Sequence, residues 1–410
     1  MKFSQYHFVD EIKNNLEKWG YKKPTDIQFK CIPSVLKGED VLAIAQTGTG
    51  KTAAFALPIL HKLHAKNNNR RASGIKCVVL VPTRELAKQT WDAFNKLGKN
   101  LRVEAFAVFG GVEQLPQIDK LEDGVDILIA TPGRLFDLVS QGHIRLNQVE
   151  ILVLDEADHM LDKGFIQDIR DLVRKLPKKR QTLFFSATID EKIKDLAYSL
   201  VTNPIRIQVS PKDPVSKNVN HFLMYVEMDD KRFFLERLVK EYLDKKIMVF
   251  VRTQVRAERV VKAMERVNIN AVSLHGGKEQ KDRFEALQAF REGTVKLLIA
   301  TDVSARGIDI EEVHVVLNYD LPDVVENYVH RVGRTGRGTS KGIAFSFVAE
   351  EEKELLEKIE SYLGYQPKVM EIMDDEYKEV SLFSADKKME LKDVLKEFVF
   401  LDKKKKKKKS

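Results

Sequence analysis

The sequence predicts an α/β protein of two tandem domains, each a mostly parallel sheet with helices on both faces, joined by a short linker. Three observations carry this. Short apolar, β-branched runs alternate with helix-length segments along most of the 410 residues. The runs are apolar on both faces, as strands covered on two sides must be. The alternation is interrupted near the middle by a polar stretch with two prolines. The length suits two or three domains at ~150 residues each.

In the first half the expected strands are Val41–Ile44, Cys77–Val81, Ile127–Ala130, Ile151–Leu154 and Thr182–Phe185. In the second they are Ile247–Val251, Ala271–Leu274, Leu297–Ala300, Val313–Leu317 and Ile343–Phe347. The break is Ser210–Asn218, which has no apolar periodicity. The expected division is therefore 1–209, a linker at 210–218, a second domain at 219–365, and an extension at 366–410. That extension ends in seven lysines, Lys403–Lys409. Like charges at that density repel and stay solvated. The tail reads either as a disordered solubilising end or as a non-specific tether for nucleic acid.

Those lysines account for most of the net charge. Of +8 overall, seven charges sit in the tail, and 8 − 7 leaves +1 for the body. Bulk basicity is weak grounds for nucleic-acid binding, and any footprint must come from placed residues. Hydrophobic residues make up 43% and charged residues 32%, as in ordinary globular chains. The two cysteines, Cys31 and Cys77, lie in or beside apolar runs and read as buried small hydrophobes in a reducing compartment. No signal-peptide pattern and no run of ~18 apolar residues occurs, so a cytoplasmic protein away from membranes is expected, as a monomer. His61 and His64 have a spacing that can bind zinc, but no further ligands lie near them in the sequence, and an exposed helical pair is the reading.

Ala45-Gln46-Thr47-Gly48-Thr49-Gly50-Lys51-Thr52 follows a strand and opens a helical run. This is the setting of a phosphate-binding loop. Gly48 and Gly50 let the backbone aim N–H groups at phosphate oxygens, and the helix N-terminus adds favourable partial charge. Lys51 is placed to reach the β- and γ-phosphates and the Thr52 hydroxyl to ligate Mg²⁺. Ala45 stands where such loops usually carry their first glycine. The acidic partner is Asp155-Glu156-Ala157-Asp158, delivered by the apolar run Ile151–Leu154. Asp155 would hold Mg²⁺ through water, and Glu156 would polarise the attacking water as general base.

At this point the residues resemble one family. Asp155-Glu156-Ala157-Asp158 reads D-E-A-D, and the ordered motifs of the DEAD-box RNA helicases accompany it. Pro82–Ala87 is similar to PTRELA, Gly110-Gly111 to GG, Thr131–Arg134 to TPGR and Ser186–Thr188 to SAT. Ala300–Asp309 resembles motif V and His330–Arg337 motif VI. Gly20–Gln28 resembles the Q motif, with Phe3 17 residues before Gly20 and Asp26 where proline is frequent. The resemblance covers about residues 3–350, and the wording is nearest the bacterial RhlE branch.

The resemblance implies two RecA-like domains, ATP and Mg²⁺ as ligands, and RNA as partner. By it, Gln28 reads the adenine edge, which an amide can do because it both donates and accepts. Tyr21 stacks on adenine, Phe3 packs the motif, and Lys23 lies in the same adenine-binding segment. Asp302 takes the ribose hydroxyls. Arg334 and Arg337 are arginine fingers in cis, a device worth ~10³–10⁵ in rate in phosphoryl transfer. His330 couples to a network of Asp158, Ser186 and Thr188. RNA contacts are Pro82, Arg84, Gly110, Gly111, Thr131 and Arg134 from the first domain, and Arg252, Gly276, Arg283 and Thr301 from the second. Hydroxyls, glycine N–H groups and guanidinium forks suit phosphates and sugars rather than bases, so binding should be independent of sequence. Two other readings remain. A DNA translocase of the same superfamily usually lacks a Q motif; a non-catalytic ATP-dependent RNA clamp should have lost Lys51, Glu156 or Arg334.

Overall fold

The computed structural model describes residues 2–46, 48–66, 74–209, 218–305, 308, 310, 312–336 and 341–371. Thr47, Arg337, the linker positions 210–217 and the tail from 372 lie outside the described residues. The chain divides into two compact units that part between 212 and 213.

The first unit holds β1 (Val41–Ala45), β2 (Cys77–Leu80), β3 (Ala105–Val108), β4 (Ile127–Ala130), β5 (Ile151–Leu154), β6 (Gln181–Ser186) and β7 (Ile205–Val209). They form one sheet in the order β3-β4-β2-β5-β6-β1-β7, and every pair is parallel. Side chains alternate across a strand, so each sheet face can be read from the sequence. Leu42, Val78, Leu80, Leu128, Leu152, Leu154 and Phe184 share one core with Leu135, Leu138, Met160, Ile169, Leu172 and Leu196 of the helices that follow. On the other face Phe185 meets Phe55 of the helix Lys51–Lys66 at 5.3 Å, and Phe55 meets Phe94 of the helix Arg84–Leu97 at 6.1 Å. The sheet is thus sandwiched between helices, which is why its central strands are apolar on both sides.

The second unit holds β8 (Val219–Tyr225), β9 (Ile247–Phe250), β10 (Ala271–Leu274), β11 (Leu297–Ala300), β12 (Val315–Asn318), β13 (Gly342–Val348) and β14 (Lys368–Val369). Its order is β10-β11-β9-β12-β13-β8-β14, again parallel throughout. Subtracting seven from each label reproduces the order of the first sheet. Val249, Ile299, Leu317 and Phe347 pack with Leu235, Leu238, Val260 and Met264 of the helices Lys231–Glu241 and Gln254–Arg266. The helix Gln280–Glu292 packs on β10 and β11.

All ten expected strands are present. The run expected at Val313–Leu317 starts two residues later, because His314 N and Val315 N pair with Lys246 O, at the mouth of the strand. Four strands had no expectation: β3, β7, β8 and β14. Three of these are sheet edges. In β7 only Ile207 is buried, and Arg206 and Gln208 face solvent, so the apolar run that marks a central strand is absent.

His61 and His64 lie half-buried on the helix Lys51–Lys66, not exposed as expected. His61 Nδ1 accepts from Val9 N at 3.2 Å and His64 Nδ1 from Arg102 N at 3.0 Å, each tying a separate segment to the helix. Among the described residues no helix is long and apolar enough to cross a membrane.

Candidate functional site

In open parallel sheets, ligands meet the loops at the carboxyl ends of the strands. Strand order therefore sorts the expected residues before any distance is measured. Across the first sheet, β3, β4 and β2 lead to Gly110-Gly111, Thr131 and Pro82–Arg84. The next three, β5, β6 and β1, lead to Asp155–Asp158, Ser186–Thr188 and the Ala45–Thr52 loop. Residues expected to touch RNA occupy one half of that edge, and those expected to touch ATP the other.

On the second half, β1 stops at Ala45 and the helix starts at Lys51. The turn between needs φ of +78° at Gly48 and +91° at Gly50, which glycine adopts at least cost. Thr49 Oγ1 donates to Gln46 O at 2.8 Å and braces the loop from inside. From outside, Thr25 Oγ1 donates to Thr49 O at 2.8 Å and Gln28 Nε2 to Gly50 O at 3.1 Å. Gln28 Oε1 in turn accepts from Thr25 N at 3.0 Å, closing a capping box. Gln28 is buried, and a Cβ on Gly50 would collide with its amide. Gln28 thus holds the loop, and its amide keeps one donor and one acceptor for a further partner. Thr25 was not singled out, although Thr-x-x-Gln is a readable capping signal. Phe3 lies edge-on to Tyr21 at 6.1 Å and fixes that ring; Lys23 is exposed in the segment between Tyr21 and the helix Asp26–Lys37.

Lys51 is buried, and its Nζ has no hydrogen-bond partner. The acid Asp155 Oδ1 lies 3.9 Å away. A buried ammonium without hydrogen bonds is costly unless an anion completes it. Burial, and then the charges of Glu156 and Asp158, push the Asp155 carboxyl up to about 6, against the pull of Lys51 and of the Glu156 N–H. Glu156 sits at φ 55°, ψ 51°, a left-handed conformation that costs an ordinary residue ~1 kcal/mol or more. Its Oε2 lies 3.8 Å from His159 Nδ1. Asp158 points elsewhere: its Oδ2 accepts from Ala187 N at 3.0 Å, Thr188 N at 3.1 Å and Thr188 Oγ1 at 3.3 Å. The expected Asp158–Thr188 network is therefore built within the first unit. Ser186 Oγ is buried beside it without a hydrogen bond.

On the other half of the edge, the Arg84 guanidinium lies over Gly111, where any Cβ would strike it, and close to Gly110. Arg134 Nη2 donates to Val112 O at 3.1 Å, while its Nη1 is buried with no hydrogen bond. Burial and the charge of Arg84 disfavour the Arg134 cation, with Asp137 opposing them. Two guanidiniums and a Gly-Gly turn thus lie close together where an anion would offset the charge, and Thr131 is the N-cap of the helix Pro132–Ser140 that carries Arg134. Pro82 O accepts from Lys163 Nζ at 3.2 Å.

In the second unit Thr301 N donates to Leu274 O at 3.2 Å and Arg283 Nη1 to His275 O at 3.4 Å, bringing Thr301, Gly276 and Arg283 together at the ends of β10 and β11. Arg252, at the end of neighbouring β9, is held by acids: its Nε lies 3.2 Å from Asp323 Oδ1 and its Nη2 3.3 Å from Glu352 Oε1. Asp302 is paired within its own domain. Both its oxygens are in a fork with buried Arg331, at 2.5 and 2.7 Å, and Arg331 Nη1 also donates to Asn318 Oδ1 and Asp320 O. Asp302 braces the ends of β11 and β12, and each of its oxygens keeps a lone pair that could accept from a further hydroxyl. Arg334 is buried with Nε on His330 O at 3.1 Å. Arg331 itself was not assigned a role, because a pair 29 residues apart leaves no local pattern.

Two family models match this chain: the DEAD/DEAH box helicase model over residues 25–196 and the helicase conserved C-terminal domain over 230–339. The ATP-dependent RNA helicase CshA of Listeria monocytogenes is 39% identical over 88% of this chain and 68% of its own length. The chain belongs to the DEAD-box ATP-dependent RNA helicases. A second relative in that family, RhpA of Helicobacter pylori, is 40% identical over 86% of this chain and 71% of its own. Among solved structures, S. cerevisiae Dbp5 bound to RNA and ADP BeF3 superimposes with a TM-score of 0.80 at 29% identity, covering 93% of this chain and 98% of that one. The two units are accordingly the tandem RecA-like domains of a DEAD-box helicase. Neither relative carries the RhlE name, so the narrower branch remains a reading of motif wording.

Proposed function

We propose that this chain couples RNA-stimulated hydrolysis of ATP to local, sequence-independent separation of short RNA duplexes. One observation carries the catalytic half: a buried lysine with no hydrogen bond, 3.9 Å from a buried acid, at the end of a glycine-turned loop. Lys51 would bind the β- and γ-phosphates, and the N-terminal amides of its helix would share their charge. Gln28 keeps a donor and an acceptor for adenine while holding Gly50, and Tyr21 offers its ring. Glu156, beside Asp155, would take the proton of the attacking water.

The residues present fit Mg²⁺. Among the described residues no group of three or more His, Cys, Asp or Glu could hold a metal by itself. Magnesium in phosphoryl transfer is commonly held by one or two protein oxygens plus substrate phosphates. Asp155, through water, and the Thr52 hydroxyl would be those oxygens here, and the ion would neutralise charge on the phosphates. Binding it would also keep Asp155 ionised.

Arg334 and Arg337 from the second domain would stabilise the charge that builds on the γ-phosphate, so hydrolysis would await domain closure on ATP and RNA, which shifts a population between states. The RNA footprint would be Arg84, Gly110, Gly111, Thr131 and Arg134, with Gly276, Arg283 and Thr301. Arg252 would join it through whatever part of its guanidinium the acids leave. A body of charge +1 gives the duplex no bulk attraction. The compartment proposed is the cytoplasm, and the working unit a monomer. ATPase measured side by side with single-stranded RNA, duplex RNA and DNA tests the proposal. Stimulation by RNA alone, with duplex separation, is the expected result. Equal stimulation by DNA would move the chain to the translocase reading, and ATP-dependent RNA binding without turnover to the clamp.

A further inference from the structure

The two domains share a strand order, so each position in the first has a counterpart in the second. The counterpart of β1 is β8, and of β5 is β12. Between Ala45 and Lys51 lie five residues, 46–50; between Tyr225 and Lys231 lie five, 226–230. Each loop ends on a lysine that is the first residue of its helix and is buried. Lys51 Nζ lies 3.9 Å from the acid just past β5, and Lys231 Nζ lies 3.8 Å from Asp320, just past β12.

What differs is the third partner. Lys51 Nζ makes no hydrogen bond. Lys231 Nζ donates to Glu352 Oε2 at 2.5 Å and to Tyr319 O at 2.8 Å. Glu352 lies just past β13, the counterpart of β6, and is 1% exposed. All its remaining contacts are donors: Ala349 N on Oε2 at 3.1 Å, Leu321 N on Oε1 at 3.0 Å, and Arg252 Nη2 on Oε1 at 3.3 Å. An oxyanion ringed by a lysine, a guanidinium and two backbone N–H groups is how a phosphate is held.

We propose that the second domain keeps a closed oxyanion site, in which Lys231 is the counterpart of the phosphate lysine and the Glu352 carboxylate fills the place an oxyanion would take. The second loop, Val226-Glu227-Met228-Asp229-Asp230, has no glycine and three acids, so it repels a phosphate that the first loop would cradle. The consequence is a division of labour: one domain needs a nucleotide to complete its lysine, and the other brings its own anion and is complete without one. Glu352 is also a positioning residue, because the same carboxylate fixes Arg252, an expected RNA contact. The equivalence rests on the reading of Lys51 as the phosphate lysine.

The test is anion rescue of the full chain. Glu352→Ala should lower the thermal midpoint by roughly 10 °C, the size of an orphaned buried ion pair. Sodium acetate or inorganic phosphate, against chloride at matched ionic strength, should restore roughly half of that loss. Glu352→Gln fills the space and should not be rescued. The rescue should survive Lys51→Ala, which removes the first lysine, and the pair Lys231→Met with Glu352→Leu should recover stability with no anion response. If Glu352→Ala does not fold in chloride, its recovery from denaturant in acetate is the readout. Equal anion responses in the parent and Glu352→Ala, no recovery in either salt, or a rescue abolished by Lys51→Ala would each overturn the proposal; the last would leave the Lys51 reading intact.

Discussion

The two RecA-like domains are built alike and completed differently. Both sheets run in the same strand order, and both end β1 or β8 in a five-residue loop and a buried lysine. In the first domain that lysine faces an acid whose own ionised form is disfavoured by burial. In the second, the lysine, two acids and Arg252 and Arg256 are paired within the protein; Arg256 Nη1 and Asp320 Oδ1 are in direct contact. Identical topology therefore says little about function. What decides it is whether the charges at the strand ends are satisfied by the chain itself or left for a ligand.

Removing each lysine in turn should affect the two domains in opposite ways. Lys51→Ala should cost ~10³-fold or more in ATP turnover, the scale of a lost group that stabilises transition-state charge. It should leave thermal stability unchanged or raised, because Lys51 makes no hydrogen bond in the protein. Lys231→Ala should do the reverse, destabilising by ~3–5 kcal/mol because Glu352 and Asp320 lose their buried cation. Paired turnover and thermal-unfolding measurements check both. A Lys51 variant that melts early, or a Lys231 variant that is fully stable, would end the comparison. Next in size is Glu156→Gln, expected to lose ~10²–10⁴ in turnover with ATP and RNA still bound. Parental turnover from that variant would remove Glu156 as the base.

The asymmetry also explains what could be read from the sequence. The loop after β1 and the acids after β5 were legible because a strand, a glycine turn and a helix start are consecutive, and because a local motif marks each residue. The central strands were legible for the same kind of reason: burial on both faces makes them continuous apolar runs. Edge strand β7 was not, since one flank meets solvent and the run breaks; β14 is only two residues long, and β3, though an apolar run, was missed. The long-range pairs were illegible altogether. Lys231 and Glu352 are 121 residues apart, and each alone looks like a charge on a solvated helix. Asp302 shows the same limit of local pattern. Its motif was clear, but the partner that uses both its oxygens, Arg331, comes 29 residues later and could be found only by folding the chain.

A pH series sharpens the comparison at the first domain. The Asp155 carboxyl is pushed from its ordinary range up to about 6, so the folded state holds its proton more tightly than the unfolded chain does. The sign follows: the stability from protonated Asp155 is fully present below about pH 4, and is lost as pH rises through 6. On the proposed reading, binding of Mg²⁺ and nucleotide would need the ionised form, so affinity should run the other way and weaken as pH falls below 6. Asp155→Asn should flatten the stability profile and abolish the affinity profile. Nucleotide affinity that does not change between pH 5 and 7.5 in the parent chain would show that a bound cation does not rely on this carboxylate.

The smallest effect expected is at Gln28, and it separates two jobs of one side chain. Its amide holds Gly50 O and Thr25 N, which supports the loop whatever nucleotide is bound. Its remaining donor and acceptor can serve adenine. Gln28→Ala removes both functions, and should reduce the preference for ATP over GTP by ~10-fold, about the value of one or two net hydrogen bonds. Gln28→Glu removes only the donor and keeps the acceptor. Its carboxylate can still accept from Thr25 N, but it can donate neither to Gly50 O nor to adenine N7. If adenine reading dominates, Gln28→Ala should lose selectivity, measured as the ratio of kcat/KM for the two nucleotides, and Gln28→Glu, which keeps the acceptor for the adenine N6–H, should lose less. If loop support dominates, both nucleotides should weaken together and the ratio should hold. The second outcome would make Gln28 a structural brace of the phosphate loop, and would put the choice of base on Tyr21 and its neighbours instead.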